Sequence, residues 1–258
     1  MRITFMSFIL LFTIFTTTIY AETKVQQKEL AIVIDDFGNN MKGTEEMLNL
    51  PVTLTAAIMP FLSTTERDAK LAHEKGHEVI VHLPMEPKSG KKSWLGPGAI
   101  TTDMSDDEIR KQVEKAIEAV PYAVGMNHHM GSKVTEDERV MRIVLEVCKE
   151  KGLYYLDSRT SSKSVVGKIA DELSVPHLEN DLFFDHVYTE QYINQQANKL
   201  MKQLNEEDQL IAIGHVGITG EHVVDVLKTF IPKYKEQAEI VPLSTLIPEL
   251  DMIDKRLP

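Results

Sequence analysis

The 258-residue chain contains one cysteine, Cys148, so no disulfide can form within it. Cys148 sits in an apolar helical pattern with Val140, Met141, Val144 and Val147. That setting reads as a small core residue rather than a reactive thiol. Positive charge is also scarce: 28 Lys and Arg stand against 39 Asp and Glu, a formal net charge of −11. The deficit argues against nucleic acid and anionic membrane surfaces as partners. Tryptophan occurs once, at Trp94. There is no internal repeat and no low-complexity tract, which leaves solenoids and fibrous classes without support.

What is present is a large apolar fraction, 43% of the chain, enough for one sizeable core. Residues 1–21 read as an export signal. Arg2 is the lone basic residue of a short n-region, an apolar stretch runs from Phe5 to Tyr20, and Ala21 suits the position before a cut. A cleaved signal is favoured over a retained anchor, because the run is near the minimum that spans a bilayer. The folded part is then expected to work outside the cytoplasm, secreted or associated with the cell envelope. No integral membrane domain is expected if the signal is cut. Residues 22–28 are polar and read as a linker. Residues 29–258 read as a single domain.

From Leu30 onward apolar strands alternate with amphipathic helices, the pattern of a mostly parallel α/β sheet or barrel. Strands are expected near 30–34, 53–59, 78–83, 123–126, 153–156, 209–213 and 239–243. One more is expected at either 177–178 or 182–184. Capping boxes are expected at Ser63 with Glu66 and at Ser105 with Glu108, and Thr135 with Glu138 is expected to cap the helix that ends at Gly152. The longest loop, 84–102, carries Trp94, and loops of that length are often functional.

The first strand, Leu-Ala-Ile-Val-Ile, stops on two adjacent carboxylates, Asp35 and Asp36. Successive strand residues point to opposite faces, so one carboxylate is expected to face a metal and the other a substrate. Later strands also end in reactive groups: His82 with Glu86 four residues on, His128 with His129, Asp157, and His215. In α/β folds the C-terminal strand ends converge on the ligand site. Carboxylate and imidazole gathered there point to a metal or acid–base site. Arg159 is open to two readings, orienting Asp35 or His215, or holding a loop by a salt bridge. Trp94 and Tyr122 are candidates for stacking on a sugar ring, with packing favoured for Tyr122. His73 and His77 read as solvated, and His177, His186 and His222 as loop or helix-start residues.

Several segments together resemble the divergent polysaccharide deacetylase family. They are Ile34-Asp35-Asp36-Phe37-Gly38, His82-Leu-Pro-Met-Glu86-Pro, Asn127-His-His-Met-Gly-Ser132, Asp157-Ser-Arg-Thr160 and Gly214-His-Val-Gly217. The run Gly76-His-Glu-Val-Ile-Val-His82 is similar to the third-strand motif of the wider polysaccharide deacetylase superfamily. The resemblance spans about Glu29 to Leu246. It implies a distorted (β/α) barrel of about seven parallel strands and a divalent metal, most often zinc. It further implies Asp35 as general base, Asp36 and His82 as metal ligands and His215 as general acid. The superfamily has a histidine where this chain has Glu86. The third ligand is then Glu86 or a fourth-strand histidine, with His129 preferred and His128 the alternate. The implied activity is hydrolysis of N-acetyl (or O-acetyl) groups on a cell-wall or extracellular polysaccharide, with an N-acetylated glycan as partner. The alternative is an inactive carbohydrate-binding or envelope regulatory protein on the same scaffold. A glycosidase using Asp35 and Asp157 ranks last, since it leaves the histidines unused.

Overall fold

A computed structural model describes residues 27–248. The export-signal reading, most of the linker and the last ten residues lie outside that range. The strands, in chain order, are β1 (Glu29–Phe37), β2 (Thr55–Ile58), β3 (Glu78–Met85), β4 (Gly125–Met130), β5 (Tyr154–Asp157), β6 (His177–Glu179), β7 (Leu182–Phe183), β8 (Gln209–His215) and β9 (Glu239–Val241). The helices are α1 (Thr44–Met47), α2 (Thr65–Glu74), α3 (Asp106–Ala119), α4 (Glu138–Lys151), α5 (Val166–Leu173), α6 (Glu190–Gln203) and α7 (Gly220–Tyr234). Strand and helix alternate except between β6 and β7, and every strand pair is parallel.

The nine strands form one sheet in the order β6-β5-β4-β3-β2-β1-β8-β7, with β9 added beside β1. Both sixth-strand candidates form, as β6 and β7. They stand at opposite ends of the sheet order, yet only Asn180 and Asp181 separate them. The Asn180 N–H donates to Asp157 O and the Asp181 N–H to Ile211 O. The chain thus steps from the β5 edge to the β8 edge, and the sheet curls back on itself as a distorted (β/α) barrel.

Alternation within each strand divides the core in two. Leu30, Ile32 and Ile34 of β1 face the helices, together with Val79, Val81, Met126 and Tyr155. Ala31 and Val33 face inward with Ile80, Leu156, Ile211 and Ile213. Near-continuous apolar strands are what a sheet covered on both faces requires. The N-terminal end of the interior is plugged by Leu243, Leu246 and Ile247 after β9. There the Glu78 carboxylate accepts from Thr55, Tyr154 and the Ser244 N–H. At the other end the inward positions turn polar, and the site lies there.

Three local expectations are corrected. Ser63 does not cap α2: its hydroxyl donates to Asn39, and the α2 N-cap, Thr64, makes no side-chain cap bond. The cap of α4 is Asp137, whose carboxylate accepts from the Val140 N–H, while Thr135 bonds back to Gly131 O. His77 is buried rather than solvated, its Nδ1 accepting from the Leu54 N–H and its Nε2 donating to Leu48 O. The Ser105–Glu108 capping box forms as expected.

Candidate metal centre

A bulge at the end of β1 builds the first half of the site. Ile34 stands opposite Ala56 and Phe37 opposite Ile58, so one extra residue is inserted on β1. Asp36 takes up the excess in the left-handed region, at φ 71°. Phe37 consequently returns to the helix-facing core beside Ile34. Asp35 and Asp36 therefore both serve the interior, which corrects the expectation that neighbours on this strand face opposite ways. The bulged segment is held by α2: buried Asp68 accepts from the Gly38 N–H at 2.9 Å, and Gly38 O accepts from the Thr64 N–H. Gly38 has φ 118°, and a Cβ there would lie 2.8 Å from Met59 O.

Strands β3 and β4 supply the second half. In their register His82 stands opposite Asn127 and Pro84 opposite His129. His82 follows inward Ile80 by two residues, and Asn127 and His129 are also two apart. All three sit on the inner face. Asp36 Oδ1 lies 3.2 Å from His82 Nε2 and 3.0 Å from His129 Nδ1. Among the described residues, these three can each offer one ligand atom to a shared ion.

The far nitrogens decide what the near ones present. His82 Nδ1 faces the Asn127 carbonyl oxygen at 2.7 Å, and His129 Nε2 faces the Trp94 carbonyl at 3.0 Å. Both partners only accept, so both far nitrogens donate. In the neutral rings, His82 Nε2 and His129 Nδ1 then aim lone pairs at the Asp36 carboxylate. Asp36 Oδ1 and His82 Nε2 have no hydrogen-bond partner, although both are buried. Three electron-rich atoms converging without donors need a positive charge among them, either a proton on a ring nitrogen or a metal ion. Bonds of about 2.0–2.1 Å to a tetrahedral ion place neighbouring ligand atoms about 3.3 Å apart, close to the two separations from Asp36 Oδ1. The residues present fit a divalent metal.

Charge balance points the same way. Burial opposes the Asp36 charge, but His129 and His82 outweigh it and hold the carboxyl well below its usual range. Burial also opposes the His82 charge, yet Asp35 and Asp36 raise its pKa. Asp35 differs. Burial raises it, and His82, His215 and the Asn127 bond offset this only in part. Asn127 Nδ2 donates to Asp35 Oδ1 at 2.8 Å.

His215 comes from β8, directly opposite Asp35 in the β1–β8 register. Its Nδ1 donates to Asp185 Oδ1 at 2.8 Å, and its ring lies near-parallel to Phe183. Asp185 is buried and also accepts from the His215 N–H and the Thr219 hydroxyl. Burial disfavours the charged ring, but Asp185, with Asp36 and Asp35 beyond it, lifts the His215 pKa to about 10.

The other candidates lie apart. Glu86 spends its oxygens on Lys133 and on the Thr102 N–H and hydroxyl. His128 points to the helix side, where it pairs with Tyr155 OH at 3.1 Å and Thr160 at 3.3 Å. Burial there drops its pKa to about 3. Asp157 alternates with inward Leu156 and so shares the outer side with Tyr155, on the opposite face from Asp35. Arg159 pairs with Glu179 at 3.4 Å, a loop contact. Tyr122 precedes β4 and stacks on His73 at 4.1 Å, at the end of the barrel away from the site. Two site residues escaped the sequence reading. Asn127 was overshadowed by the two histidines after it, although its spacing to His129 is the strand period. Asp185 lies two residues beyond β7, a two-residue strand too short to show a pattern.

The comparisons with known proteins agree with this architecture. The chain is 32% identical over 235 residues to an uncharacterized protein of Haemophilus influenzae, covering 91% of this chain and 82% of that one. It is 33% identical over 235 residues to the uncharacterized protein YibQ of Escherichia coli, covering 91% and 72%. Among solved structures, an uncharacterized protein of Agrobacterium tumefaciens has a TM-score of 0.78 at 20% identity, over 87% of this chain and 91% of that one. Two others share the fold at lower similarity. The catalytic domain of a peptidoglycan N-acetylglucosamine deacetylase from Eubacterium rectale has a TM-score of 0.52 at 14% identity, over 86% and 91%. A CE4 family pseudoenzyme from Bacillus anthracis also scores 0.52, at 17% identity, over 86% and 66%. The family model for divergent polysaccharide deacetylase matches residues 32–247, a span that holds the bulged Asp35–Asp36 pair, the β3 and β4 histidines and the Asp185–His215 pair. With that match covering most of the chain, the protein belongs to the divergent polysaccharide deacetylase family.

Proposed function

We propose that the protein is a metal-dependent hydrolase that removes N-acetyl (or O-acetyl) groups from a polysaccharide outside the cytoplasm. The observation that carries this reading is the convergence of Asp36, His82 and His129 on one point, with Asp35 and His215 beside it. Asp36 Oδ1, His82 Nε2 and His129 Nδ1 would hold a divalent cation, zinc by preference for two imidazoles and a carboxylate. Such a cation supplies Lewis acidity toward the acetyl carbonyl and the attacking water.

The remaining chemistry falls to the chain. Asp35 is the base: Asn127 engages its Oδ1, leaving Oδ2 to take the proton from water. Its raised pKa brings it nearer neutrality, where a base works best. His215 is the acid, and Asp185 on Nδ1 leaves the Nε2 proton for the departing amine or alcohol. A base and an acid on adjacent strands, on inward-facing residues in register, suit an addition–elimination at one carbonyl. Trp94 is more than half exposed and its backbone carbonyl touches His129, which makes its ring the candidate for stacking on a sugar near the site.

An inactive, carbohydrate-binding role is the second reading, motivated by Glu86 where the superfamily has a ligand histidine. The zinc-loaded protein, from its folded domain, should release acetate from N-acetylated chitooligosaccharides or peptidoglycan fragments. Asp35→Asn should retain the metal and lose turnover. A wild-type protein that binds zinc and glycan without releasing acetate would move the conclusion to the second reading. Residues 1–21 are proposed as the export signal, which fusion to a periplasm-dependent reporter tests. Among the described residues no helix is long and apolar enough to cross a membrane.

A further inference from the structure

We infer that Asn127 is a positioning residue that sets two groups at once: the ligand nitrogen of His82 and the proton-accepting oxygen of Asp35. The inference rests on the metal-dependent reading above and deepens it. Asn127 is fully buried on β4, opposite His82 in the β3–β4 register. Its amide has a donor end and an acceptor end, and Asp35 fixes which way they point. Asp35 Oδ1, a buried carboxylate oxygen at 2.8 Å, requires a donor, so Nδ2 faces it. The carbonyl end is thereby turned to His82 Nδ1 at 2.7 Å and requires the proton there. Nε2 is left bare toward Asp36. One amide orientation therefore fixes the tautomer of a ligand and the free oxygen of the base.

No other residue type of this size does both. Aspartate keeps an acceptor for His82, but against Asp35 it sets a second carboxyl, and two buried carboxyls at 2.8 Å share a proton that occupies the base. Leucine keeps the volume and serves neither. The two halves of the role can thus be separated, which a merely structural residue would not allow. Partners of metal ligands of this kind are worth about 10–100-fold in metal affinity or activity.

The test compares wild type, Asn127→Asp and Asn127→Leu, each purified as the folded domain. Zinc affinity is measured by competition with a chromophoric chelator, and the visible spectrum is recorded after cobalt loading. Steady-state acetate release gives kcat and KM separately. Asn127→Asp should bind zinc within about threefold of wild type with an unchanged cobalt spectrum, yet lose about tenfold or more in kcat at similar KM. Asn127→Leu should lose at least about tenfold in zinc affinity and alter the cobalt spectrum. Should Asn127→Leu fail to fold, Asn127→Asp alone decides, since kcat must fall while the spectrum holds. Wild-type kcat in Asn127→Asp, or wild-type zinc affinity in a folded Asn127→Leu, overturns the inference. A wild-type protein that binds zinc but turns over no substrate overturns the hydrolase reading instead. The affinity and spectral comparison then still judges the His82 half.

Discussion

Asp185 Oδ1 stands 2.8 Å from His215 Nδ1, while Asp35 occupies the β1 position opposite His215. One imidazole is thus held between a carboxylate that charges it and the carboxylate proposed to act with it. The ring is positively charged up to about pH 10. As proton donor, His215 should therefore hold the alkaline limb of kcat near pH 10. Asp185→Asn removes the dominant attraction, and the limb should fall by at least about one unit toward the ordinary imidazole value of about 6.5. A pH–rate profile measures this, and an unmoved limb would deny His215 the acid role. The linked stability has a definite sign. The folded pKa lies above the unfolded one, so the contribution is complete below about pH 6.5 and is lost as pH rises through about 10. Melting temperatures across that range should fall in wild type and fall less in Asp185→Asn.

The bulge at Asp36 makes a second prediction about backbone rather than charge. Asp36 lies at φ 71°, a region that glycine enters freely and alanine does not. Asp36→Ala and Asp36→Gly should both lose the metal, since each deletes the shared carboxylate. Compared without metal, the glycine variant should be more stable than the alanine variant by about 1 kcal/mol. Equal melting temperatures would mean that the segment relaxes out of the bulge once the carboxylate is gone.

His128 separates two histidines that the sequence places side by side. It is buried among Tyr155, Thr160 and Asp157 on the helix side, with a pKa near 3. His128→Gln should leave zinc affinity within about threefold, in contrast to the about 10-fold or larger loss expected for His129→Ala. The pH sign is opposite to that of His215. The folded pKa lies below the unfolded one, so the stability contribution is present above about pH 6.5 and lost as pH falls toward 3. Chemical denaturation at pH 7 and pH 4.5 should show a smaller acid loss in His128→Gln than in wild type. An equal acid loss would place the acid sensitivity elsewhere.

Much of this architecture was legible because burial on both faces writes long apolar runs, and those runs marked most of the strands. The strand-end rule likewise points to Asp35, Asp36, His82, the His128–His129 pair and His215, and the structure brings Asp35, Asp36, His82, His129 and His215 to one end of the barrel. What the residues could not announce were departures from the strand period. The extra residue at Asp36 reverses the facing of Asp36 and Phe37, and no local pattern of Asp-Asp-Phe-Gly distinguishes a bulge from a plain strand end. Asp185 follows a two-residue strand whose existence depends on pairing with β8, a contact that is non-local. Arg159 looked like a partner for the site because it is a cation near strand-end acids. The register of β5 puts its preceding Asp157 on the outer face, and Arg159 follows it away toward Glu179. The α4 cap was misplaced by two residues because a short 3-10 turn, Val134–Glu136, precedes the helix and uses up Thr135.

Trp94 gives a direct test of the proposed metal binding. It is the only tryptophan in the chain, so intrinsic fluorescence excited at the indole band reports one position. Its carbonyl accepts from His129 Nε2 at 3.0 Å, and its ring carries Lys91 Nζ at 5.4 Å from the centroid. A cation on His129 Nδ1 makes the Nε2 proton a stronger donor, tightening the bond to the Trp94 backbone. Zinc added to the metal-free protein should therefore shift the Trp94 emission, saturating at one equivalent. In His129→Ala the shift should vanish, because both the ligand and the link to the loop are gone. In His82→Ala the link survives, so a weakened shift should follow the residual affinity and appear only at higher zinc. A glycan that stacks on the indole should then perturb the same signal, and more strongly in the zinc-loaded protein than in the metal-free one. Emission unchanged through a zinc titration that calorimetry shows to be stoichiometric would mean that the Trp94 loop does not sense the metal. The loop would then have to be placed by its other contacts, among them the pairing of Met85 with Ile100.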